Sequence, residues 1–138
     1  MANRFMNQFP LALEKKVVNL FAHVTFGSTG APTLDKANSK GIVSVTRNSA
    51  GKYTFVFGTT TASLDVYYKL LCVKHVFDAT GNSGTAPASP GLYITGNSVA
   101  TVGTCSLQVV FNAAGTATDP ASGEGVYLQF IFKDSTAP

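Results

Sequence analysis

The chain has 138 residues, 45% hydrophobic and only 12% charged, with a formal net charge of +3. That length supports one domain that buries about two-thirds of its unfolded surface, with no need for a second. Its ten Lys and Arg are scattered, with no run longer than Lys15-Lys16. This excludes the clustered basic and aromatic footprint of a nucleic-acid binder, and no apolar stretch reaches the length of a membrane span.

The shortfall in charge is made up by Ala, Gly, Ser, Thr and Asn. Two readings follow: a neutral β-domain coated with Thr and Ser, or a surface much of which meets other protein. The opening MANRFMNQFPLALEKKVVNL contains no uninterrupted apolar segment of signal-peptide length, so synthesis in a cytoplasm is expected.

Residues 1–16 read as an arm. Arg4, Phe5, Met6, Phe9 and Leu11 show no period of two, and Pro10 opens at most a short helical turn. Such an arm either folds back over its own core or uses Phe5 and Phe9 to anchor a neighbouring subunit. The β-domain then spans 17–133, and 134–138 is a tail.

Within it, Val17 to Phe26 alternates cleanly, with Val18, Leu20, Ala22, Val24 and Phe26 on one face and Asn19, His23 and Thr25 on the other. Phe21 interrupts the polar face, which suggests that this side is also partly covered. After the Gly/Ser/Thr/Pro turn at 27–32, Thr33 to Lys40 makes a loop or short edge segment. Lys40 to Gly58 reads as a β-hairpin turning at Asn48-Ser49-Ala50-Gly51, with Val43, Val45, Tyr53, Phe55 and Phe57 on the core face. Ser44, Thr46 and Thr54 face the other way, against packed protein in the assembly reading.

Asp65 to Phe77 is a long strand, apolar on both faces, and therefore either central or part of an oligomer interface. Asp78 to Gly91 and Asn112 to Gly125 are long loops of small residues. Between them lie Leu92 to Thr95, Val99 to Val102 and Thr104 to Phe111. Val126, Leu128, Phe130 and Phe132 alternate in the last strand. Seven to eight strands and no long helix predict an all-β fold: a single-domain, mostly antiparallel β-sandwich or flattened barrel with an N-terminal arm.

The chemistry of common active sites is sparse. Cys72 and Cys105 sit in apolar strands and read as buried free thiols rather than a disulfide. His23 and His75 stand alone, without a second ligand at zinc spacing, and neither long loop holds more than two acids for calcium. No metal or cofactor is expected. Asp119 and Glu124 share a loop and form a conceivable acid pair, but a turn-forming Asp before Pro120 and a solvated Glu explain them as well. Tyr67, Tyr68, Tyr93 and Tyr127 are core-edge residues or stacking faces for a glycan. No catalytic residue is assigned.

The arm RFMNQFPLALEKK, followed by the Gly/Ala/Thr/Ser-rich strands VNLFAHVTFGSTGAPTLD, SKGIVSVTRNSAGKYTFVFG and GEGVYLQFIFKDS, resembles small virion structural proteins of tailed bacteriophages, in particular capsid decoration (cement) proteins. The resemblance implies a non-enzymatic subunit, often a homotrimer, made in the host cytoplasm. It would sit on the outer surface of the virion capsid and bridge major capsid subunits, without direct contact to nucleic acid or membrane. Arg4, Phe5 and Phe9 of the arm, with Tyr67 and Tyr68, are then the candidate interface residues. A tail, collar or baseplate component is the neighbouring alternative, and a glycan-binding β-sandwich module is the more distant one.

Overall fold

The computed structural model describes residues 17–60, 63–64, 67, 69–82, 91–110 and 116–134. The arm with Arg4, Phe5 and Phe9, and also Tyr68 and residues 135–138, lie outside them. The strands in chain order are β1 (Val17–Phe26), β2 (Pro32–Leu34), β3 (Ile42–Ser49), β4 (Lys52–Thr60), β5 (Ser63–Leu64), β6 (Lys69–Asp78), β7 (Gly91–Ser98), β8 (Thr104–Val110) and β9 (Gly125–Lys133). A helical turn, α1, spans Val99–Val102.

Two antiparallel sheets form, one ordered β2-β1-β9-β6 and the other β3-β4-β8-β7, with β5 paired to the end of β4. The fold is an all-β sandwich, as the alternation in the sequence predicts. In the first sheet, Leu20, Ala22, Val24 and Phe26 of β1 and Val126, Leu128, Phe130 and Phe132 of β9 turn inward and are buried. The second sheet answers with Tyr53, Phe55, Phe57 and Cys105. Rings interlock across the gap: Phe57 lies 5.0 Å from Phe130 and 4.9 Å from Phe132, both edge-on, and Phe55 lies 5.2 Å from Phe130. Edge-to-face contact sets a ring's positive rim against its neighbour's negative face, adding to the area each ring removes from water.

The β3–β4 hairpin turns where the sequence places it. Ser49 pairs with Lys52, and Gly51 takes a left-handed φ of 63° that a side chain would strain. A register shift between Ile42 and Ser44 turns both Ile42 and Val43 inward. On the other face Ser44 and Thr54 are half-buried in the single subunit, whereas Thr46 is exposed.

Of the two readings of the long strand, the central one is removed: among the described residues β6 ends its sheet, and its outer residues Leu71, Cys72 and Val76 are exposed. Two expectations are corrected. Cys72 is thus not a buried thiol: the register shift between Leu70 and Cys72 turns it outward, while Cys105 stays buried, its thiol pushed up to about 11 by desolvation. Val99–Val102 is a helical turn, not strand. It closes the β7–β8 hairpin, with Val99 buried and Gly103 ending it at a φ of 63°.

Candidate functional site

The outer face of the β2-β1-β9-β6 sheet brings together residues far apart in sequence. Partners across an antiparallel pair project to the same side, so the register defines rows. Along β1, β9 and β6 these run Val17, Lys133, Lys69; then Asn19, Ile131, Cys72; then Phe21, Gln129, Lys74; then His23, Tyr127, Val76; and last Thr25, Gly125, Asp78. The side chains obey the rows: Gln129 Nε2 donates to Asn19 Oδ1 at 3.1 Å, and the His23 and Tyr127 rings stack 4.0 Å apart.

The middle of this face is apolar and open. Phe21 is 45% exposed, Tyr127 46% and Val76 67%. Together they line a groove of about 430 Å³, with Asn38 of the β2–β3 loop on one side and Lys74 and His75 of β6 on the other. Phe21 is held there by its backbone, whose N–H donates to the Lys40 carbonyl while its own carbonyl accepts from the Lys40 N–H. Neighbouring large apolar groups left in water on one sheet face are the usual mark of a contact surface.

A polar cluster fixes one end of the groove. His23 is only 8% exposed, and its Nδ1 lies 3.2 Å from Asp35 Oδ2. Because a carboxylate can only accept, Nδ1 carries the proton. Its Nε2 is buried with no hydrogen-bond partner and stands 3.8 Å from Asp78 Oδ2. Asp35 also accepts from Asn38 Nδ2 at 2.7 Å and from the backbone of Ala37, and these bonds, Asn38 first and His23 next, hold its carboxyl at about 2. The Asp78 carboxyl is lowered too, chiefly by the Thr80 hydroxyl and amide. The cluster ties the β2–β3 loop to the sheet and backs the Tyr127 ring with a flat imidazole.

Asp119 and Glu124 do not converge as an acid pair. Asp119 accepts from Arg47 Nε and Nη2, from the Gly51 N–H and within 3.1 Å of the Tyr53 hydroxyl. Glu124 is buried rather than solvated, and its carboxylate accepts from the Ala121 N–H. Among the described residues no three His, Cys, Asp or Glu side chains gather at metal-binding distance, and no helix is long and apolar enough to cross a membrane.

Of the residues predicted to meet a partner, Tyr67 is described and is buried in its own subunit, its ring stacked 4.5 Å from Phe132. It is a core residue of its own subunit. Tyr127 and Phe21 occupy the exposed surface instead. Phe21 carried the only local signal, an apolar residue on a polar face, whereas the His23, Asp35 and Asp78 cluster spans too much sequence to be read locally.

Fold and surface together define an all-β sandwich whose β2-β1-β9-β6 sheet leaves Phe21, Tyr127 and Val76 exposed on its outer face. No known protein family matches the chain, and no curated protein or solved structure matches it either.

Proposed function

We propose that this is a non-enzymatic structural protein of a tailed-bacteriophage virion, a capsid decoration (cement) protein that binds the outside of the head and bridges major capsid subunits. The observation that carries the proposal is the outer face, where, among the described residues, Phe21, Tyr127 and Val76 stand exposed around one groove. The sequence resemblance supplies the biological setting. A homotrimer suits the role, because three modest contacts on one assembly gain avidity once the first has formed.

Cryo-microscopy of purified particles, with antibody labelling, tests the location. Density on the head exterior is expected, and label confined to tail, collar or baseplate would overturn the cement role. Mass in solution tests the assembly: a trimer is expected, and a stable monomer would remove the avidity argument. A glycan array, expected to be blank, tests whether Tyr127, Gln129 and Asn38 instead form a sugar-stacking site.

A further inference from the structure

We infer that His23 is a proton-operated clasp: uptake of a second ring proton, at Nε2, closes a charge-assisted hydrogen bond to Asp78 that ties β1 to the end of β6 and steadies Tyr127 on the outer face. The clasp lies within one subunit, and goes beyond the docking reading without depending on it.

With one proton on the ring the arrangement is incomplete. Nδ1 gives that proton to Asp35, so Nε2 carries a lone pair, buried and without a hydrogen-bond partner. Asp78 Oδ2 stands 3.8 Å away, and it too is an acceptor. That distance is too long for a hydrogen bond, and a buried acceptor left unpaired is costly. The carboxylate is already aimed. Its Oδ1 accepts from the Thr80 N–H at 2.9 Å and from the Thr80 hydroxyl at 2.6 Å, which leaves Oδ2 to the imidazole. β9 lies between the two strands, and its residue in the Asp78 row is Gly125. A Cβ there would stand 3.4 Å from His23 Nε2 and 3.6 Å from the Asp78 Cβ, so a side chain at this position would crowd both partners.

One proton resolves each of these contacts. At Nε2 it turns the orphan acceptor into a donor, and closing the gap by about 1 Å gives the usual length of a charge-assisted bond. The imidazolium then stands between two carboxylates, Asp35 on the β2–β3 loop and Asp78 on β6. Both stay ionised in mild acid, because bonds from Asn38 first to Asp35, and from Thr80 first to Asp78, hold them low. The imidazolium also lies as a cation on the face of Tyr127, whose ring is 4.0 Å away and 7° from parallel. The remaining charged groups on these elements lie apart from the clasp or are engaged elsewhere. Lys36 and Lys40 of the loop and Lys74 and His75 of β6 are exposed, and Lys69 and Lys133 share the row at the other end of the sheet. The Glu124 carboxylate, just before β9, accepts from the Ala121 N–H.

The test is NMR on the full chain, titrated from about pH 8 to about pH 5, the range in which imidazoles ordinarily change charge. Ring-nitrogen shifts report the protons on His23, with His75→Gln removing the other imidazole of the chain. At the alkaline end Nδ1 should carry the proton and Nε2 none. As Nε2 takes up its proton, the Tyr127 ring signals should move with the same midpoint, and amide-exchange protection at Asp78 and Thr80 should rise by at least about threefold. Asp78→Asn sets an amide donor opposite the neutral nitrogen, so in that variant protection should be higher at the alkaline end and fall with acid. An Nε2–H tautomer at the alkaline end, protection that stays flat across the range in the parent, or a parent-like response in Asp78→Asn would overturn the inference.

Discussion

Arg47 grips Asp119 with two parallel bonds, Nε to Oδ1 at 2.9 Å and Nη2 to Oδ2 at 2.6 Å, across 72 positions of sequence. The same carboxylate accepts from the Gly51 N–H and sits 3.1 Å from the Tyr53 hydroxyl, which also lies 3.0 Å from the Gly30 carbonyl. One side chain therefore fastens the loop before β9 to the tip of the β3–β4 hairpin and to the β1–β2 turn. Exposed ion pairs are usually worth little, but removing Asp119 also strands the Gly51 N–H and takes one of two acceptors from the buried Tyr53 hydroxyl, which keeps the Gly30 carbonyl. Asp119→Ala is expected to cost about 2–3 kcal/mol in urea unfolding, with Arg47→Ala costing less because Gly51 and Tyr53 keep their acceptor.

Acid should loosen the same clasp. Asp119, with Arg47 as the largest cause, and Asp35, with Asn38 as the largest cause, are both held at about 2 against an ordinary 3.8. A carboxylate depressed in the folded state binds its proton more readily in the unfolded one, so its contribution is present above 3.8 and is lost as pH falls towards 2. Unfolding midpoints measured from pH 6 to 2 should fall most steeply in that window. Asp119→Asn should flatten the fall; an unchanged slope would show that this carboxylate contributes none of it.

Gly30 packs against the clasp from the other side. Its φ is +68°, and a Cβ built there would lie 2.4 Å from the Asp119 Cγ. Gly30→Ala therefore combines a left-handed backbone with a collision and should destabilise by about 2 kcal/mol or more. Gly27, in the same turn, offers ordinary contact distances of 3.6 Å and above, so Gly27→Ala should stay within about 1 kcal/mol. Thermal unfolding of the two variants compares them directly.

The parts of this structure that follow a local period were legible in sequence. β1 and β9 alternate strictly, and Leu20, Val24, Phe130 and Phe132 are buried where that period puts them. Periodicity failed on β6, because a strand with apolar residues on both faces looks the same whether a second layer covers it or a partner must. It failed again at Val99–Val102, where the short β7–β8 connection overrides the β preference of valine. Asp119 read as a turn former because Arg47 and Tyr53 reach it only through tertiary structure. The groove was illegible for the same reason: β1, β6 and β9 meet only in the finished sheet.

Phe130 tests how the two sheets hold together. It is fully buried and contacts rings of the opposite sheet at 5.0 and 5.2 Å. Phe130→Ala should cost about 3–5 kcal/mol, and Phe130→Leu, which keeps most of the volume but none of the ring geometry, should cost clearly less. Equal losses would mean that ring geometry, not volume, governs packing at this position.

Phe21 separates folding from docking. Its side chain lies outward at the centre of the groove, and its backbone bonds to Lys40 survive any substitution other than proline. Phe21→Asp should therefore unfold within about 1 kcal/mol of the parent, yet place a charge in the centre of an apolar contact, where desolvation is costly. If the protein binds phage heads, as proposed, and does so through this outer face, cosedimentation with heads stripped of it should weaken by at least about tenfold. Tyr93→Asp, on exposed β7 of the opposite sheet, supplies the control and should bind as the parent does. Should Phe21→Asp bind normally while Tyr93→Asp fails, the contact surface belongs to the β3-β4-β8-β7 sheet instead.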